Sequence, residues 1–205
     1  MIIKNLLRIF VSYKLVIFKT IFFEIIYVVL GYKGNNMTQT KNRLMANNIP
    51  CPYFFLIKII KVLKKYKFKK FVDLGCGSGR VIYFMNKNLI NKFYLGIEYD
   101  KKVFKFVKNM FKNNKKISIL NSNFLSFNHN KFKANCYFLN NPFTSNKSFK
   151  TFFKKLTKQI PPKKKIIFVF VNFDLKMIKS NKKIHLIDEY KITNVKNYCI
   201  ALLKN

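Results

Sequence analysis

The pattern of apolar and polar positions changes character twice along the chain. Residues 1–32 are mostly apolar, with basic residues gathered on one side of a helical wheel, which predicts an amphipathic helix. Residues 33–49 are polar and lack periodicity, which predicts a linker. From residue 50 onwards, short apolar runs alternate with segments of helical period. The sequence therefore predicts a helix over 1–32, a linker over 33–49 and an α/β domain over 50–205.

The alternating part predicts seven strands and the helices that connect them. The expected strands are 71–74, 93–98, 117–120, 136–140, 166–171, 184–190 and 198–203. The expected helices are 53–66, 80–90, 101–112, 149–160 and 175–178. Repeated strand–helix units favour a mostly parallel sheet covered on both faces. The connection between the last two strands is too short for a helical crossover, so these strands are expected to pair antiparallel.

The N-terminal helix is a poor candidate for a membrane span. Its most apolar stretch is interrupted by Lys19 and Glu24, whereas a span needs about 20 apolar residues with few charges. Two placements remain open: packing on the domain, or lying in a membrane interface. In either placement, Phe18, Phe22 and Ile25 are expected to be buried.

The charge is extreme and has two interpretations. The 205 residues include 41 Lys and Arg against 7 Asp and Glu, a formal net charge of +34. Nearly all the basic residues are Lys, in a chain that is also rich in Asn, Ile and Phe, which is what an AT-rich coding sequence would produce. The other interpretation is attraction to RNA or to anionic lipid.

The four cysteines have no CxxC spacing, so neither a zinc site nor a disulfide framework is expected. We expect no metal, and a cytoplasmic location with peripheral contact at the inner face of the membrane as an added possibility.

A glycine-rich loop follows the first predicted strand. Four of the six glycines fall between residues 75 and 96, and residues 72–80 read VDLGCGSGR. The dinucleotide fingerprint G-x-G-x-x-G would need glycine where Arg80 stands, and the P-loop pattern is absent. Three of the seven acids, Asp73, Glu98 and Asp100, lie in this loop region and at the end of the second strand. Asp100 could equally cap the next helix.

VDLGCGSGR resembles the first motif of class I S-adenosylmethionine-dependent methyltransferases, and GIEYD (96–100) resembles the end of their second strand. The resemblance implies S-adenosyl-L-methionine as cofactor and a Rossmann-like, doubly wound, mostly parallel α/β sheet of seven strands, the last antiparallel. It implies glycines beside the methionine moiety, Glu98 on the ribose, Tyr99 on the adenine and Asn123 at the adenine amine. The implied cofactor-binding residues are Asp73, Gly75, Cys76, Gly77, Gly79, Glu98, Tyr99 and Asn123.

The fourth predicted strand ends in Asn140-Asn141-Pro142-Phe143, which resembles the [Asn/Asp]-Pro-Pro-[Tyr/Phe] motif of amino-group methyltransferases, with Asn141 in place of the first Pro. The resemblance implies that these four residues are catalytic. Either asparagine could supply the side chain that accepts a hydrogen bond from the target amine, and the aromatic ring would hold the target. A Pro-Tyr element over 50–53 would cover the cofactor.

The leading functional interpretation is methyl transfer to an amino nitrogen of a macromolecule, either a protein lysine or an RNA base. A non-catalytic, membrane-associated adaptor that retains the fold and a small-molecule methyltransferase are the alternatives.

Overall fold

The computed structural model describes residues 2–34, 50–126, 128–140, 142–143, 145–161, 164–192 and 197–203, and gives the backbone alone for residues 2–14. The predicted linker therefore lies outside the described residues over positions 35–49.

The described residues contain the seven predicted strands, each within one or two residues of its expected bounds. The strands are β1 Lys70–Leu74, β2 Phe93–Glu98, β3 Ile117–Asn121, β4 Cys136–Asn140, β5 Ile167–Val171, β6 Ile184–Lys191 and β7 Asn197–Leu203. The helices are α1 Ile2–Val29, α2 Tyr53–Leu63, α3 Arg80–Asn88, α4 Lys101–Met110, α5 His129–Phe132, α6 Asn146–Gln159 and α7 Leu175–Lys179. Helix α5 was not predicted, because four residues are too few to show a helical period.

The strands form one sheet in the order β3-β2-β1-β4-β5-β7-β6. Strands β1 to β5 pair in parallel, and β7 is antiparallel to both β5 and β6. This confirms the predicted mostly parallel sheet with an antiparallel last strand. The strand order reverses at β1, which lies between β2 and β4, and ligands bind at the carboxyl ends of strands at such a switch point.

Both faces of the sheet are covered by apolar clusters. One cluster joins α2 and α3 to residues such as Phe71 and Phe138. The other joins α6, through Phe149 and Phe152 among others, to the opposite face. Strand β5 is buried at every position, as expected for a central strand with helices on both sides.

Helix α1 packs its C-terminal half on α2 and α3. The Phe23 ring lies 6.3 Å from that of Phe54, and the Tyr27 ring stacks on Tyr53 at 4.6 Å between centroids. Tyr27 also meets Phe84 of α3 edge-on at 5.3 Å. Helix α1 is therefore docked on the first βα unit of the sheet.

The face of α1 that docks is not the predicted one. Phe18, Phe22 and Ile25 are 66%, 49% and 58% exposed, so the expectation that packing would bury them is wrong. The helix has apolar residues on two sides, and the docked side is the one that carries Phe23, Tyr27 and the single acid of the helix. Within the described part of the chain, no helix is both long and apolar enough to cross a membrane.

Candidate active site

Asp73 lies in β1, at the centre of the sheet. Its backbone is in register with Gly96 of β2 and Phe138 of β4. The side chain is only 2% exposed, and its Oδ2 has no hydrogen-bond partner among the described residues. Burial raises the pKa of Asp73 well above its usual range, and the negative charge of Glu98 raises it further. A buried carboxyl without a partner is costly, which suggests a ligand group at this position.

The glycine loop turns tightly over the end of β2. The amides of Gly75 and Cys76 both donate to the Ile97 carbonyl, at 2.9 and 3.0 Å. Gly75, Gly77 and Gly79 have φ of 79°, 50° and 83°, a region that glycine adopts without steric cost. A Cβ at Gly79 would also lie 2.5 Å from Val107 Cγ2 of α4. The loop therefore requires glycine at these positions.

Glu98 ends β2 and turns its carboxylate towards the loop. Oε2 accepts from the Gly77 amide at 2.9 Å, and Oε1 accepts from the Asp100 amide at 2.9 Å. Burial raises the pKa of Glu98, and these backbone donors act in the opposite direction. A carboxylate offers about four acceptor positions and three backbone donors act on this one, so Glu98 can bind both the loop and a ligand hydroxyl.

Asp100 caps helix α4. Its Oδ1 accepts from the amides of Lys102 and Val103 at 2.8 and 3.0 Å, which accounts for this acid structurally. Tyr99 is 47% exposed beside it. Asn123 is also exposed, and its Oδ1 accepts from the Leu125 amide at 2.9 Å. Tyr99 and Asn123 thus lie at the same edge of the sheet, and both are exposed to solvent.

The fourth motif lies against the glycine loop. A Cβ added at Gly75 would lie 3.4 Å from Pro142 Cβ, so β4 brings this motif directly beside the first. Asn140 ends β4, and its Oδ1 accepts from Asn172 Nδ2 at 2.9 Å. Asn141 lies outside the described residues. Of the two candidate asparagines, Asn140 is the one whose surroundings are described.

Phe143 belongs to an aromatic cluster under the edge of the sheet. Its ring is 9% exposed and lies 5.4 Å from Phe149 and 6.1 Å from Phe173. These three rings, together with Ser145 and Asp174, line a cavity of about 130 Å³. The ring is therefore fixed by packing, with the cavity beside it.

Two contacts of this region were not predicted from the sequence. The first is the hydrogen bond from Asn172 to Asn140. Asn172 follows β5 with φ of 59°, a conformation for which asparagine is enriched. Arg80, directly after the loop, forms an ion pair of 2.8 Å with Glu24 of α1. Rarity could have pointed to that pair, because Glu24 is the only acidic residue before Asp73 and Arg80 is one of three arginines.

The Pro-Tyr element over residues 50–53 is placed differently from the prediction, because the Tyr53 ring is buried. Tyr53 is fully buried between α1 and Arg80, whose guanidinium carbon lies 4.5 Å from the centre of the ring. The expectation that the Pro-Tyr element covers the cofactor is not met for this ring, since it belongs to the interior behind the loop.

Comparison with known proteins agrees with the fold and the loop. Residues 56–184, more than half of the chain, match the methyltransferase small domain family, and the chain belongs to that family of class I S-adenosylmethionine-dependent methyltransferases. It is a methyltransferase by family and by fold. No curated protein matches the sequence.

Three solved structures illustrate the shared fold. A Staphylococcus aureus protein provisionally named as a caffeoyl-CoA O-methyltransferase superposes with a TM-score of 0.60 at 13% identity, over 76% of this chain and 85% of that one. The N-methyltransferase NodS of Bradyrhizobium japonicum gives 0.56 at 11%, over 77% and 89%. An RNA methyltransferase of Salinibacter ruber gives 0.55 at 14%, over 76% and 94%.

The family, and the S-adenosylhomocysteine present in the last two structures, imply S-adenosylmethionine as methyl donor. The residues present fit that group. A positively charged sulfonium ligand suits a site with two carboxyls in a chain of high positive net charge, and Asp73 Oδ2 is buried there with no hydrogen-bond partner among the described residues. No three His, Cys, Asp or Glu side chains in the described ranges come together as a metal site.

The two raised pKa values predict a pH dependence that distinguishes the methyl donor from its product. A sulfonium is attracted by ionised carboxylates, so affinity for S-adenosylmethionine should fall as the pH drops and Asp73 and Glu98 take up protons. The fall should begin above the ordinary carboxyl range of roughly 4. Titrations from pH 8 to pH 5 should show a steeper loss for S-adenosylmethionine than for the uncharged thioether S-adenosylhomocysteine. Parallel curves for the two ligands would contradict the prediction.

Proposed function

We propose that the chain transfers a methyl group from S-adenosylmethionine to an amino nitrogen of a macromolecule. The observation that carries this proposal is the Asn140–Asn172 amide pair at the carboxyl ends of β4 and β5, on the sheet edge where Pro142 lies beside Gly75. An amide oxygen can accept a hydrogen bond from an amine without itself ionising. The amine thereby keeps its lone pair aimed at the methyl carbon, and such positioning accounts for much of the catalysis in an in-line displacement.

Each group in the site has a defined part in this proposal. Glu98 binds the ribose hydroxyls, Asp73 faces the charged end of the methyl donor, and Gly75, Gly77 and Gly79 allow its close approach. The cofactor, when bound, supplies a methyl group on a cationic sulfur that leaves as a neutral thioether once the new C–N bond forms. The methylated nitrogen then releases its proton to solvent. Cys76, Tyr99 and Asn123 complete the proposed cofactor-binding residues, and Asn141, Pro142 and Phe143 the proposed catalytic ones.

Two observations favour different acceptors. The net charge of +34 attracts a polyanion such as RNA and repels a lysine-rich protein tail. The cavity beside Phe143 combines three aromatic rings with the Asp174 carboxylate, which suits an alkylammonium side chain such as lysine. The three structural relatives act, by their names, on an O-acceptor, an N-acceptor and RNA, so the fold alone leaves the acceptor open.

The acceptor can be identified with tritiated cofactor. The purified protein is incubated with methyl-labelled S-adenosylmethionine and a cell extract, which is then separated into protein, RNA, lipid and small-molecule fractions. The proposal expects base- and acid-stable label in the protein or the RNA fraction, as methylated amino nitrogen. Label only among small molecules would favour a small-molecule methyltransferase, and no label in any fraction, despite measured cofactor binding, would favour a non-catalytic adaptor.

We also propose a peripheral contact between helix α1 and the anionic inner face of a membrane. Its outward side presents the apolar residues Leu15, Phe18, Phe22, Ile25 and Val29 at spacings of three and four, all about half or more exposed. The one acid of α1, Glu24, is held by Arg80, so its charge is neutralised within the protein. An anionic lipid surface complements this charge pattern, whereas a second copy of a +34 chain would be repelled.

Vesicle binding tests this contact. The protein should sediment with vesicles containing anionic phospholipid and detach in 1 M salt, where the Debye length shrinks to about 3 Å. Phe22→Glu should prevent sedimentation, whereas Ile90→Glu, which changes an even more exposed apolar residue on the turn after α3, should not. Equal sedimentation of the Phe22 variant would contradict the proposal, and release only by detergent would indicate a membrane span instead.

A further inference from the structure

The N-terminal segment contacts the end of the glycine loop and the start of α3. Arg80 is the first residue of α3, directly after Gly79, and its side chain is only 7% exposed. Its Nη1 donates to Glu24 Oε1 and Oε2 at 3.0 and 2.8 Å and to the Cys51 carbonyl at 3.2 Å. One guanidinium thus joins α1, the segment before α2 and the end of the loop.

A second set of contacts joins the same two parts of the chain. Ser78 Oγ, inside the loop, donates to the Gly34 carbonyl at 2.7 Å, in a buried hydrogen bond. Gly34 lies so close to the start of α3 that a Cβ there would sit 2.4 Å from the Arg80 amide nitrogen. The loop is therefore fixed at Ser78 by Gly34 and at Arg80 by Glu24.

Glu24 is central to this arrangement. Besides the ion pair, its Oε1 accepts from the Tyr53 amide at 3.0 Å, which ties it to the first turn of α2. A buried ion pair adds little net stability compared with apolar residues of the same shape, so what it contributes is geometry. Removing only the carboxylate would leave the buried guanidinium without its counter-charge, and Arg80 would have to move.

We propose that Glu24 is a positioning residue for the cofactor site, and that docking of α1 and binding of the cofactor are coupled. Three glycines with positive φ give the loop wide conformational freedom, and the contacts to Glu24 and Gly34 remove that freedom before the ligand arrives. A preorganised loop binds more tightly because less ordering is required on binding. The coupling is reciprocal, so the bound ligand should in turn hold α1 in place.

This inference rests on the proposed cofactor site, and it uses residues outside the 56–184 family match. The experiment compares the full-length wild-type protein with Glu24→Gln and Glu98→Ala, and with Glu189→Gln as a control that removes one carboxylate from an exposed ion pair with Lys179. S-adenosylhomocysteine affinity is measured by calorimetry at a temperature at which circular dichroism shows each protein folded. Glu24→Gln should weaken binding roughly tenfold, within the usual range of such couplings, and Glu189→Gln should leave it unchanged.

A measurement on the wild-type protein alone keeps the test decisive if Glu24→Gln fails to fold. Hydrogen exchange of the α1 amides over residues 20–29 should slow when S-adenosylhomocysteine binds, together with exchange in the loop at 75–80. Protection of the loop without protection of α1 would overturn the inference, as would unchanged affinity in folded Glu24→Gln. Absence of binding by the wild-type protein would instead overturn the proposed cofactor site.

Discussion

Replacing Asn140 by alanine is expected to lower the rate of methyl transfer about 100-fold, equivalent to about 2.7 kcal/mol of transition-state stabilisation. The Asn140 oxygen accepts from Asn172 at 2.9 Å, which fixes the orientation of the amide that the proposal assigns to the acceptor amine. Without that acceptor, the amine is free to rotate away from the in-line geometry. Turnover is measured with tritiated cofactor on the acceptor fraction that the wild-type protein labels.

Cofactor affinity provides the internal control for this variant. The proposal has Asn140 act on the acceptor, so its removal should lower turnover while S-adenosylmethionine binding stays close to that of the wild-type protein. Asn88→Ala is a suitable matched variant, since Asn88 is the last residue of α3, donates its side-chain amide to the Phe84 carbonyl of the same helix and lies outside the proposed site. Full activity in Asn140→Ala would mean that this side chain does not orient the acceptor, and would shift the role to Asn141.

Replacing Glu98 by alanine is expected to weaken S-adenosylmethionine binding by about 1–3 kcal/mol, roughly 5- to 150-fold. The loss has two sources, of which the first rests on the proposed role of Glu98 and the second on an observed hydrogen bond. The ribose hydroxyls would lose their acceptor, and the Gly77 amide would lose the Glu98 oxygen that holds it at 2.9 Å. Equilibrium dialysis with radiolabelled cofactor measures the change directly.

The interpretation of the Glu98 variant depends on the fold staying intact. Glu189→Ala removes a carboxylate from an exposed ion pair on β6 and should bind cofactor as the wild-type protein does. Glu98→Gln should show an intermediate loss, because the amide oxygen can still accept one hydrogen bond. Wild-type affinity in a folded Glu98→Ala protein would remove this residue from the proposed site.

The sheet could be predicted from the sequence because its information is local. Strand β5 is a continuous apolar run, the glycine loop separates β1 from α3, and paired prolines follow the helix that covers β5. Each of these features fixes an element without reference to distant residues. The carboxyl ends of parallel strands then necessarily share one edge, which is why Asp73, Glu98 and Asn140 could be placed together in advance.

The side-chain contacts between distant parts of the chain could not be predicted in the same way. The Glu24–Arg80 pair joins residues 56 positions apart, and the Asn172–Asn140 pair joins residues 32 apart, so no periodic pattern relates them. The docked face of α1 was assigned wrongly for a related reason. A helix with apolar residues on two sides leaves its orientation to tertiary contacts, which here include the ion pair of Glu24 with a buried arginine and the ring contacts of Phe23 and Tyr27.

The most direct test of the central claim is a calorimetric titration of the purified full-length protein with S-adenosylmethionine. We expect saturable binding of one molecule per chain, reversed by an excess of S-adenosylhomocysteine and weaker at pH 5 than at pH 8. A folded protein that binds neither ligand at either pH would contradict it.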